Sequence, residues 1–67
     1  MQNQNTIPSK SLTILGDQMQ HEYVACRKAE HYASCFDDAQ LKAIANQLAG
    51  DHRQRFDRLF SYLSRHA

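Results

Sequence analysis

Leu12, Leu15, Met19, Glu22, Cys26, Ala29, Ala33 and Phe36 stand at spacings of 3, 4, 3, 4, 3, 4 and 3. Such a row is the a/d seam of a helix that packs along its whole length against another helix. A strand would place alternate members on opposite faces, so the pattern excludes a sheet here. Gly16 interrupts the first turns and weakens them by about 1 kcal/mol relative to Ala. Residues 1–8 are polar and end at Pro8, which disfavours helix at Ile7, so they read as a tail. Ser9 or Ser11 is the expected cap, and the first helix is expected over about 10–36.

Phe36-Asp37-Asp38 breaks the pattern. Asp37 with Gln40 three residues later has the form of a capping box, and two acidic side chains suit a helix N-terminus. A second row follows at Leu41, Ala45, Leu48, His52, Phe56, Leu59 and Leu63, which predicts a helix over about 38–65. Arg65 and His66 close it with the positive charge that a helix C-terminus favours. Gly50-Asp51 offers a three-helix alternative with a turn at that point. One continuous helix is preferred, because the apolar row crosses the glycine without losing phase. The expected architecture is all-α, an antiparallel two-helix hairpin bent near Asp37.

With 67 residues, such a chain buries only about 60% of its unfolded surface. Ile14, Tyr23, Ala25, Tyr32, Ile44, Phe60 and Tyr62 flank the two rows and widen the apolar surface beyond what one partner helix covers. Dimerisation into a four-helix bundle would bury it. A balance of 8 Lys+Arg against 7 Asp+Glu gives no reason to expect nucleic-acid binding. Arg53, Arg55 and Arg58 interleave with Asp51 and Asp57, and pairing of Asp51 with Arg55 accounts for them. No run of 18 apolar residues predicts a membrane span. The polar start lacks the basic and apolar regions of a secretion signal, so a cytoplasmic location is expected. Cys26 and Cys35 lie about 13 Å apart along a helix, beyond disulfide reach, and are expected as thiols.

One polar residue interrupts each apolar row, and the two correspond. Glu22 is 14 residues before Phe36 and His52 is 14 residues after Asp38, each about 21 Å from the corner. A carboxylate and an imidazole should therefore meet between the helices. Three readings are open. The pair is a structural hydrogen bond that fixes register; or it contributes oxygen and nitrogen ligands to zinc, iron or manganese; or a rotated helix leaves either side chain in water. Tyr23 and Tyr32 read as rim aromatics and Cys26 as a small core residue. No serine or cysteine nucleophile arrangement and no phosphate-cradling glycine loop is present, so no catalytic residue is assigned.

The run Glu22-Tyr23-Val24-Ala25-Cys26-Arg27-Lys28-Ala29-Glu30-His31-Tyr32-Ala33 resembles the first helix of small ferritin-like spore coat proteins (the coat F type) of endospore-forming bacteria. So do Asp38-Ala39-Gln40-Leu41-Lys42 and Ala49-Gly50-Asp51-His52-Arg53-Gln54-Arg55-Phe56, with the Leu59 and Leu63 ending. The resemblance covers about residues 11–64. It implies a ferritin-like hairpin or bundle, a link to the spore coat and other coat proteins, and a core Glu and His inherited from metal-binding relatives. Di-iron bundles add a Glu three residues before the His, where this chain has Ala49. A dimer would offer two Glu22 and two His52, enough for one zinc, iron or manganese ion but short of the bridging carboxylates of a di-iron centre. The expected function is structural packing as a homodimer without catalysis or a cofactor. The alternatives are a metal-binding protein with an ion between Glu22 and His52 of two chains, and an adaptor whose apolar face takes another protein's helix.

Overall fold

Two helices account for nearly all of residues 7–66, the part that the computed structural model describes. Helix α1 runs Ser9–Cys35 and helix α2 Ala39–His66, and they pack on one another as an antiparallel hairpin with no strand among the described residues. Both run one residue away from the expected bounds at each end. Of the expected tail, residues 1–6 lie outside the described residues.

Neither serine caps α1. Pro8 occupies the cap position with φ −55° and ψ 146°, and no side chain caps the helix there. The Pro8 carbonyl accepts the first helical bond from Leu12 N at 2.9 Å. The rigid ring already supplies the extended backbone of a cap, so Ser9 enters the helix, and its carbonyl accepts the Thr13 hydroxyl at 3.1 Å.

The corner differs from expectation by one residue as well. Phe36 leaves the helix in an extended conformation, its N–H still donating to the Tyr32 carbonyl. Asp38, and not Asp37, is the cap of α2. Its Oδ1 accepts from Gln40 N at 2.8 Å and Leu41 N at 3.0 Å, which satisfies two of the four orphan donors of the new helix. No capping box forms, because the third helical position is then Leu41. Across the corner, Lys42 Nζ donates to the Ala33 carbonyl at 2.9 Å. Helix α1 has no basic residue in its own last turn, so α2 supplies the positive charge its C-terminus favours.

Gly50 causes no break. Neither glycine has a positive φ, and a Cβ on either would meet nothing within 4 Å. Continuous hydrogen bonding through Gly50 removes the three-helix alternative.

The core is made of small side chains. Cys26, Ala29, Ala33, Ala45 and Ala49 are buried, and no large side chain is fully enclosed among the described residues. The second apolar row is therefore out of phase with the expected one. Leu41 and Leu48 are 44% and 48% exposed, while Ala49, outside the expected row, is 7% exposed. Leu12 at the head of the first row is likewise exposed. The reason is steric. Methyl side chains permit the closest backbone approach, and that contact turns α2 until Ala45 and Ala49 face α1 and the leucines swing to the side. Leu15, Met19, Phe56, Leu59 and Leu63 fill the half of the hairpin far from the corner and stay partly exposed.

Candidate functional site

Glu22 lies in the middle of α1 and His52 in the middle of α2. The small-residue contact brings α2 close enough for the two side chains to meet. Glu22 is 6% exposed, the one buried charged residue among those described. Its Oε1 lies 2.5 Å from His52 Nδ1 and its Oε2 accepts from Gln18 Nε2 at 2.9 Å. Both carboxylate oxygens are thus engaged, as a buried carboxylate requires.

The hydrogen-bond inventory fixes the proton. A carboxylate only accepts, so His52 Nδ1 carries hydrogen and donates. Arg55 Nη1 stands 3.3 Å from the same Nδ1, but two donors cannot bond to each other. The guanidinium is instead held by charge, 3.8 Å from Glu22 Oε1. The His52 hydrogen bond holds the Glu22 carboxyl below its ordinary pKa, assisted by Gln18 and by the charges of His52 and Arg55 and opposed by burial.

Sequence reasoning placed Glu22 and His52 at one level, and the structure joins them. It did not find Gln18 and Arg55. Their signal was local: Gln18 is one helical turn before Glu22, and Arg55 is three residues after His52, each on the same helix face as its neighbour. The expected Asp51–Arg55 pair gives way to the Glu22 contact, because a buried carboxylate attracts Arg55 more strongly than an exposed one. Arg53 pairs with Asp57 at 3.4 Å, both side chains exposed, an arrangement worth little.

Chemically, one hairpin presents an imidazole oriented by a carboxylate. With Nδ1–H given to Glu22, Nε2 is the ring nitrogen left for another partner, and it is a lone-pair donor whenever the ring is neutral. No three His, Cys, Asp or Glu side chains gather into a metal-sized group among the described residues. Ala49 is buried where a bridging carboxylate would have to project, so the chain does not fit a di-iron centre.

Both cysteines are free thiols. Cys26 is buried between the helices, and Cys35 is exposed near the corner, 3.7 Å from His31 Nε2. No helix among the described residues is long and apolar enough to cross a membrane. No family model, no curated protein and no solved structure matches the chain.

Proposed function

We propose that this chain is a structural packing protein without catalysis of its own, working as a ferritin-like four-helix bundle of two hairpins. One observation carries the reading. Ten large apolar side chains are at least 43% exposed on a hairpin whose buried apolar residues, among those described, are four alanines and a cysteine. A monomer of this kind leaves its largest apolar groups in water, and a second hairpin removes them from it. The Glu22–His52 pair then serves as a register lock, since a slip along the helices separates the buried carboxylate from its partly buried imidazole partner. Association with the bacterial spore coat is part of the proposal on the strength of the sequence resemblance. It predicts that a fluorescent fusion expressed in a sporulating bacterium collects on the spore surface.

The decisive measurement is light scattering coupled to size exclusion. A mass twice the 7.7 kDa of the chain supports the bundle, and a monomer at all concentrations refutes it.

A second reading has its own support in the orientation of His52. The carboxylate–imidazole pair, with Nε2 left over, is the arrangement by which proteins present a histidine to a metal. In this reading two chains hold one zinc, iron or manganese ion, with His52 as ligand and Glu22 orienting it or joining the ligand set. Elemental analysis of untagged protein tests it against Glu22→Gln and His52→Ala. Stoichiometric metal lost in both variants establishes the metal site. Absence of metal, with both variants melting at lower temperature, leaves the register lock.

A further inference from the structure

At 100° per residue, the exposed apolar side chains do not distribute evenly around the hairpin. Ile14, Tyr32, Leu41, Ile44, Leu48 and Tyr62 fall on one flat side. Near the corner, Tyr32, Phe36, Leu41, Ile44 and Leu48 line a shallow apolar groove there. The opposite side carries Leu12, Tyr23 and Phe60, but Arg27, Glu30 and Arg53 border the hollow beside Tyr23. Val24 points away from α2 altogether. One side is therefore largely apolar, crossed at mid-length by a polar layer with Gln18 and Arg55, and the other is a mixed, solvated surface.

We propose that this apolar side docks against the same side of a second copy, with Arg55 at the centre of the contact. The inference rests on the self-association reading above and adds which surface is used and what aligns it. Two features point to a copy of this chain as the occupant. The first is size. Helices of 27 and 28 residues are about 40 Å long and together about 20 Å wide, giving about 800 Å² per chain, the area a standard stable interface takes from each partner.

The second is symmetry. Glu22 stands at the midpoint of Ser9–Cys35, and His52 lies at the middle of Ala39–His66. When two hairpins overlap fully about a two-fold axis, parallel or antiparallel, their mid-length layers must coincide. Gln18, Glu22 and Arg55 border this side at that level, so each layer meets its own copy, with apolar groups above and below. Arg55, half-exposed and 3.8 Å from Glu22 in the hairpin, is then placed between two carboxylates, one from each chain. A slipped dimer would leave these charges against leucine and isoleucine, a costly mismatch.

Sedimentation of the full chain with matched charge insertions on the two sides tests the surface. Ile44→Glu and Phe60→Glu replace residues of nearly equal exposure, 53% and 55%. The expected result is at least a 100-fold weaker association for Ile44→Glu and less than a 3-fold change for Phe60→Glu. Arg55→Glu sets like charges together in the central layer and should weaken association at least 10-fold. A photo-cross-linking phenylalanine analogue at position 44 should join two chains and at position 60 should not, a readout that holds even if a charge at 44 prevents folding. A wild-type monomer would overturn the bundle itself. A wild-type dimer that survives Ile44→Glu, or cross-links only from position 60, would overturn this surface alone.

Discussion

The two halves of the hairpin achieve helix contact by different means. Near the corner, Ala29, Ala33, Ala45 and Ala49 bring the backbones together and are almost completely covered. Beyond the Glu22–His52 layer, Leu15, Met19, Phe56, Leu59 and Leu63 meet, and each stays partly exposed. Small side chains complete their own contact and gain little apolar burial from it. Large ones carry more transfer free energy but cannot be enclosed by one neighbour. The alanine half fixes the geometry of the hairpin, and its large side chains, Tyr32, Leu41, Ile44 and Leu48, are turned out to the flank; the leucine half closes on itself only in part.

That contrast breaks most sharply where space is shortest. Ala45→Leu should destabilise the hairpin by about 3 kcal/mol, because the added atoms push the backbones apart. Leu63→Ala, which removes a larger group from the open half, should cost only about 1 kcal/mol in a site that is partly solvated. Chemical denaturation of both variants checks the order, and a reversal would mean that the leucine half is the tighter one. Asp38→Ala removes the cap that starts α2 and should cost about 1 kcal/mol. Gly50→Ala should stabilise by about 0.5–1 kcal/mol, since a Cβ there meets nothing and helix propensity improves. A loss of stability would show that the glycine serves a contact outside the hairpin.

The layer between the halves is sharpened by pH. Glu22 has a folded pKa below its ordinary value of 4.5, so the carboxylate binds fewer protons in the folded state than in the unfolded one in that range. Its contribution is complete above the ordinary carboxylate range and is lost as pH falls through the lowered value. Melting temperature followed from pH 6 down to pH 2 should therefore drop less steeply for Glu22→Gln than for wild type. Equal slopes would remove Glu22 as the acid-sensitive group.

Much of this was legible in spacing alone. The 3,4 rows predicted two helices, and the equal distance of Glu22 and His52 from the corner placed their side chains at one height. The rotation of α2 was not legible. Leucine outranks alanine in any hydrophobic pattern, yet close packing is decided by volume, so Ala45 and Ala49 took the contact from Leu41 and Leu48. Asp37 and Asp38 are equivalent as sequence signals, and only the point where Phe36 turns extended selects the second. Arg55 had two acidic partners within reach, and burial, which a linear pattern does not contain, chose Glu22.

The unequal burial of the two thiols has a practical consequence. Cys26 is covered between the helices and Cys35 is open at the hairpin's bend, so a thiol-directed spin label will attach to one site in the unmodified sequence. In a parallel pair of hairpins the two labels would sit at the same end. In an antiparallel pair they would stand about 40 Å apart, one helix length. A single dipolar distance between electron spins thus distinguishes the two orientations.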